Sequence, residues 1–363
     1  MFKIGLNFGL LAIIAVVLTV SPRETRAAQD SPEIPFLGAW SGSAHANAAS
    51  ESFRHWDKDG KVPKACAKCH SSDGFRDFIG ADGSTKGAVD HPAKTDTVIT
   101  CVTCHHGTEV SLDAVTFPSG VSLANTGRNT RCMTCHQGRQ SGANVDAAVN
   151  GLPLDTPSPT LKFLNVHYRA AAATVWGSMA KIGYEYAGAD YQGRFEHVSK
   201  LDECVECHDP HALNVRVETC VRCHGPMTTR ESMRAIRISA ADFDGDGNSR
   251  EGMAGELETL QQRVLKAMQL YAKGTVKKPL AYEAHTYPYF FIDTNGNGTA
   301  DPDEAQYKNQ YNAWTPRLLK AGYNYQFALK DPGAYAHNPY YVMQLLHDSL
   351  ADLSADMTGL VRP

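Results

Sequence analysis

Apolar positions along this 363-residue chain fall into three regimes. A short unbroken apolar run occupies roughly Leu10 to Val20. From there to about residue 230 apolar residues seldom recur with a helical or strand period, and Gly, Asp, Ser, Thr and Pro mark residues 71–130 as loop. Two stretches stand out from that background. Ser43 through Trp56 is alanine-rich and predicts a helix. Leu161 to Ile182, with Phe163, Leu164, Val166, the alanines at 170–173, Val175 and Trp176, predicts a longer one with a small apolar surface. Asp57-Lys-Asp-Gly60 reads as a turn, and Val115 to Gly120 as a short extended piece ending in one.

Beyond residue 230 the helical period is plain. Leu257, Leu260, Val264, Leu265, Met268 and Tyr271 make one stripe, with Gly274 placed as a stop. Val342, Leu345, Leu346, Leu350 and Leu353 make another, opened by Asn338 as cap and Pro339 in the first turn. The pattern predicts a mainly α fold with much irregular loop and few strands. It divides into a leader at 1–28, a first domain at 29–230, and a helical C-terminal segment at 231–363.

The leader has the form of a secretory signal: Lys3, the apolar run, and small residues around Thr25-Arg-Ala27-Ala28. The run is too short for a membrane span, so the expectation is export to the periplasm or cell surface with no span after cleavage. Cleavage would remove Lys3, Arg23, Arg26 and Glu24, three cations and one anion, moving the formal charge from −4 to about −6. A nucleic-acid partner is not expected, because its basic footprint is missing.

All ten cysteines lie in five copies of one pentapeptide: Cys66-Ala-Lys-Cys69-His70, Cys101-Val-Thr-Cys104-His105, Cys132-Met-Thr-Cys135-His136, Cys204-Val-Glu-Cys207-His208 and Cys220-Val-Arg-Cys223-His224. C-x-x-C-H is the attachment signature of c-type haem: two thiols bond one porphyrin and the His lies beneath its iron. A disulfide framework has no reason to place His after every second Cys, and zinc ribbons pair C-x-x-C units without it. Five covalent haem c groups are therefore expected, and the porphyrins would supply apolar volume that the loop-rich part of the chain lacks.

Five proximal His leave ten others. The candidates for the far side of the iron are His45, His55, His167, His197 and His211, with His337 as a sixth for five places. Ten residues of helix advance about 15 Å and leave the side chain about 80° off, so His45 and His55 would serve different irons. Pro210 stiffens His208-Asp-Pro-His211 and aims His211 at a neighbouring haem. His91 and His106 are read as structural and His347 as solvated, and His285 is given no role. Ligation by two imidazoles gives low-spin iron without an open position.

Two acidic loops follow residue 230. Asp293-Thr-Asn295-Gly-Asn297-Gly-Thr299-Ala-Asp301-Pro-Asp-Glu304 has EF-hand spacing, with oxygen ligands at positions 1, 3, 5, 7, 9 and 12 and Gly at 6. Asp242-Phe-Asp244-Gly-Asp246-Gly-Asn248 starts equally well, but Met253 stands at position 12, so Glu251 or Glu256 would close it. One or two calcium ions are expected, in loops flanked by amphipathic helices.

Several of these segments resemble exported multihaem c-type cytochromes of metal- and sulfate-reducing bacteria. They are Ser43-Ala-His45 through His55-Trp56 to the first motif, Arg131 to Arg139, Asn165-Val-His167-Tyr168, and Arg194-Phe-Glu-His197 leading to His224; the Asp242 loop and Asp331 to Asn338 look similar to that family's C-terminal segment. The resemblance implies paired-His haems and a periplasmic or extracellular electron-transfer role, with redox proteins or extracellular acceptors as partners. Saturated, crowded irons point the same way, toward electron transfer rather than catalysis. The rival readings are a multihaem reductase of nitrite, hydroxylamine or a sulfur compound with one open haem, and the self-assembling protomer of a cytochrome filament.

Overall fold

Short helices carry the cysteine motifs in the structure, a computed structural model that describes residues 34–107, 112–198 and 200–363. They are α1 (Lys64–His70), α2 (Cys101–Cys104), α3 (Asn129–Cys135), α4 (Cys204–Cys207) and α5 (Val217–His224). Residues three and four apart share one face of a helix, so each turn presents both thiols and the following His together. In α2, α3 and α4 the His N–H closes the turn onto the first cysteine's carbonyl, at 2.8, 2.9 and 2.8 Å. The leader expected at 1–28 lies outside the described residues. Contacts divide the chain into Met1–Leu37, of which residues 34–37 are described, and Gly38–Pro363, which holds every motif and both acidic loops.

Strands are few and short, as expected: β1 (Lys61–Val62) with β2 (Ala93–Lys94), β3 (Ala114–Thr116) with β4 (Ser122–Ala124), and β5 (Leu280–Tyr282) with β6 (Phe290–Ile292), all antiparallel. The Val115 to Gly120 piece is the first arm and turn of the second hairpin, with Gly120 at φ +85°.

Two expected helices are corrected. Over Leu161–Ile182 only Ala171–Trp176 is α-helical, followed by a 3-10 turn at Gly177–Met179. The backbone before it pairs with other segments: Arg139 N–H donates to Val166 O and Arg169 N–H to Lys330 O, both at 2.8 Å. His167 (φ +79°) and Arg169 (φ +58°) are left-handed, which no α-helix accommodates. Between Ser43 and Trp56 the chain runs in turns and bends to residue 50, with one helical turn at Glu51–Arg54 capped by Ser50. There the His45 carbonyl accepts Ile99 N–H at 3.1 Å instead of a helical partner.

Beyond residue 230 the stripes predict the packing well. Helices α6 (Met253–Tyr271), α7 (Pro316–Lys330) and α8 (Pro339–Asp352) bury Leu257, Leu260, Val264, Met268, Leu318, Leu319, Phe327, Val342, Leu345 and Leu346 against one another. Each such side chain contributes about 1.5–3 kcal/mol. Asn338 caps α8, its Oδ1 accepting Tyr341 N–H at 3.1 Å. Three details differ from expectation. Gly274 does not stop α6, which runs on as a π turn over Ala272–Val276. His347 is not solvated: its side chain is 17 % exposed and bonded to Asp348. The C-terminal segment also contains the β5–β6 hairpin, because Phe290, Phe291 and Ile292 pair with Leu280, Ala281 and Tyr282.

One apolar cluster joins both sides of residue 230, including Val115, Met133, Val166 and Trp176 with Leu257, Tyr323 and Leu345. Buried polar bonds stitch the same seam. Asn324 of α7 accepts Tyr184 N–H at 2.8 Å and donates to Tyr184 O at 2.9 Å, while Tyr323 OH donates to Ile182 O at 2.8 Å. The helices therefore form the frame on which the 161–186 segment, with His167, is laid.

Candidate haem and cation sites

Every motif histidine faces one other histidine. Ring centroids stand 6.2 Å apart for His136 and His45, 5.8 Å for His70 and His167, and 6.2 Å for His105 and His211. They stand 6.3 Å apart for His208 and His337, and 6.1 Å for His224 and His197. A metal–imidazole bond is about 2 Å long, which puts two rings flanking one metal about 6 Å apart. The five pairs have that spacing, and each lies beside two thiols on a single helical turn, so the residues fit a covalent haem. No two of the ten cysteines are joined by a disulfide.

Ring orientation is held from behind. His70 Nδ1 donates to Ser52 O at 2.8 Å and His136 Nδ1 to Arg169 O at 3.0 Å. His208 bonds the Leu213 backbone, and His337 Nδ1 donates to the buried Asp331 carboxylate at 2.7 Å. A carbonyl or carboxylate can only accept, so Nδ1 carries the proton in His70, His136 and His337, and Nε2 is left as a metal ligand. Burial, then the facing His136, pushes His45 down to about 4; burial, then the facing His70, does the same to His167. Both rings are neutral at physiological pH, the form a metal needs.

Of the six distal candidates, His45, His167, His197, His211 and His337 face motif histidines and His55 does not. His55 is exposed, bonds Glu51 at 2.8 Å and lies edge-on to Trp56. His91 Nδ1 bonds the buried Asp77 carboxylate at 2.6 Å, a structural role. His106 packs beside Phe75 with both ring nitrogens buried and unpartnered. Asp331 is the contributor that the sequence does not advertise. Its only local signal is its place six residues before His337, across a Pro-Gly turn.

The two acidic loops share one hydrogen-bond skeleton. In the first, Asp242 accepts Gly245 N–H at 2.7 Å and Gly247 N–H at 2.8 Å; in the second, Asp293 accepts Gly296 and Gly298 N–H at 2.8 and 2.9 Å. Asp244, Asp246, Asn295 and Asn297 each accept the N–H two residues on, from Asp246, Asn248, Asn297 and Thr299 in turn. Their carboxylates differ. Asp242, Asp244 and Glu256 converge to within 4.8 Å, as do Asp244, Asp246 and Glu251. Asp244 is wholly buried, its Oδ2 has no partner, and burial pushes its carboxyl up to about 7. With Met253 buried at position 12, Glu256, one helical turn later, reaches back to accept Phe243 and Asp244 N–H at 2.8 and 3.0 Å. In the second loop Glu304 accepts Thr294 and Asp301 N–H, and Asp301 accepts the Asn295 and Asn297 side-chain amides. Long helices do not flank both loops. Helix α6 follows the first, whereas β6 leads into the second and a 3-10 turn at Tyr307–Asn309 follows it.

Attachment turns with facing imidazoles define a multihaem c-type cytochrome of the kind found in metal-reducing bacteria, carrying covalently bound haem c. The chain is 26% identical over 86% of its length to C-type polyheme cytochrome OmcB of Geobacter sulfurreducens, and 25% identical over 85% to OmcC of the same species. It spans about half the length of these relatives, 48% and 45% respectively. No family model and no solved structure matches. No helix among the described residues is long and apolar enough to cross a membrane.

Proposed function

We propose that this chain is an exported electron-transfer protein holding five haem c groups, each iron clamped between the imidazoles of one of the five pairs. The observation that carries the reading is the common centroid spacing of 5.8 to 6.3 Å, found at every motif. Bound haem supplies a one-electron iron couple. The chain's part would be to hold that metal with an imidazole from each side of a pair, so that no small substrate could reach it, and to bring the attachment turns together. That pairing at all five motifs disfavours the reductase reading, which needs one imidazole missing. Quantitative haem determination with low-temperature spin-state spectroscopy tests the proposal. Five haems per chain, all low-spin with two imidazoles, are expected; a native high-spin haem would return the enzyme reading.

The first acidic loop is proposed to hold a hard divalent cation such as calcium, with Asp242, Asp244, Asp246, Glu251 and Glu256 as its carboxylates. Support comes from the buried, unpartnered Oδ2 of Asp244, a group that is costly to enclose unless something positive meets it.

A further inference from the structure

We infer that the line of closest approach through the attachment sites skips the second motif, running from the first to the third, then the fourth, then the fifth. This rests on the five-haem reading above and concerns how those sites adjoin.

The thiols of Cys69 and Cys135 lie in hydrogen-bond contact. The turns that carry them interlock, Cys69 Sγ reaching Thr134 O at 4.0 Å and Cys135 Sγ reaching Lys68 O at 3.7 Å. The other thiol of the third motif, Cys132, is in hydrogen-bond contact with Cys204. That contact is fixed by Cys204 N–H on Asn129 Oδ1 at 2.8 Å, and by Arg128 bridging Glu203 and Glu206. The third motif therefore meets the first with one cysteine and the fourth with the other. The fifth adjoins only the fourth among these contacts: Arg216 N–H donates to Cys207 O at 2.8 Å and its guanidinium to Val205 O at 3.2 Å.

The second motif approaches the third, its Cys104 lying within electrostatic reach of Cys132 and Cys135, but it makes no thiol contact there. Thr103 donates to Ser72 at 2.8 Å, just past the first motif, and Ile99 N–H donates to the carbonyl of His45, the ring facing His136. No thiol of the second motif is in hydrogen-bond contact with another motif's thiol among the described residues. Each sulfur would be bonded to a vinyl-derived carbon, two bonds from its own porphyrin ring, so touching sulfurs would bring two rims together. Charges so placed interact strongly, because the interaction falls with distance and the medium is poorly polarisable.

The test is a potentiometric titration of the holoprotein followed by the separate low-spin signals of each haem. In His45→Met the third haem takes a Met ligand, which raises its potential, so it is reduced first. The added electron should then shift the midpoints of the first and fourth haems downward by more than the second's, and leave the fifth where it was. A first haem that does not move while the fourth does, or a second haem that moves as far as both, would overturn the inference. Absence of a Met-ligated ferric haem in the variant would instead overturn the pairing of His45 with His136, and with it the reading beneath. His197→Met, at the other end, supplies a second variant should the first fail to fold. It should shift the fourth haem alone, and a shift at the first or third would refute the order.

Discussion

Replacing His337 by alanine takes one imidazole from the five facing pairs, and replacing His55 takes none. The His337 ring stands 6.3 Å from His208, while its Nδ1 bonds Asp331, a carboxylate only 3 % exposed. His337→Ala should therefore convert one haem in five to a high-spin form and remove about a fifth of the low-spin signal. It also leaves Asp331 buried with the Gly333 N–H at 3.1 Å and the Thr174 hydroxyl, but without its N–H partner on the ring. A hydrogen bond to a charged group is worth about 1.5–3 kcal/mol, and the surviving bonds place the loss near the lower end. His55→Ala deletes an exposed contact with Glu51, worth under about 1 kcal/mol. Low-temperature spin-state spectroscopy and thermal unfolding of the two holoprotein variants decide the matter, and added imidazole should restore the low-spin signal of His337→Ala. A low-spin loss in His55→Ala, with His337→Ala unaffected, would refute the pairing.

Chelation of divalent cations should lower the unfolding temperature while leaving the haem spectrum unchanged, and Asp244→Asn should abolish that sensitivity; a chelator without effect on the wild type would exclude the cation. Gly74→Ala should destabilise by about 1–3 kcal/mol, since a Cβ there would stand 2.5 Å from the carbonyl carbon of Ala67 in the first attachment helix; calorimetry checks it. Burial works against the Asp348 carboxylate, yet His347, Arg362 and Tyr191 hold it down at about 2. Against an ordinary value near 3.9, that depression stabilises the fold by roughly 2.5 kcal/mol. The stabilisation is complete above about pH 4 and is lost as pH falls toward 2. Asp348→Asn should therefore weaken the protein at pH 7 and make almost no difference at pH 2, as read by denaturant midpoints.

Local chemistry was legible wherever a handful of neighbouring residues decides the outcome. Asn338-Pro339 starts a helix because the Asn side chain and the proline ring act on the next turn alone. The stripes of α6 and α8 are buried as their period requires. Leu161–Ile182 failed for the opposite reason: its apolar content is compatible with helix, but Arg139 and Lys330 offer the backbone partners that win. The first acidic loop likewise shows its closing carboxylate only once α6 is folded, because Glu256 reaches the loop from a helical turn that the twelve-residue pattern does not include.

By itself the amino-acid order determined the attachment chemistry. Two thiols and an imidazole within five residues fall on one helical face whatever surrounds them, and five repeats define the class of protein. Only the tertiary structure decided which distant imidazole completes each pair, that His337 and not His55 is among them, and that the third motif touches both the first and the fourth. Those relations join residues from separate stretches of chain, and such contacts exist only after α6, α7 and α8 have packed and the 161–186 segment has been pinned to them by Tyr323 and Asn324. Bonding preferences are written residue by residue, whereas proximity is a property of the packed whole.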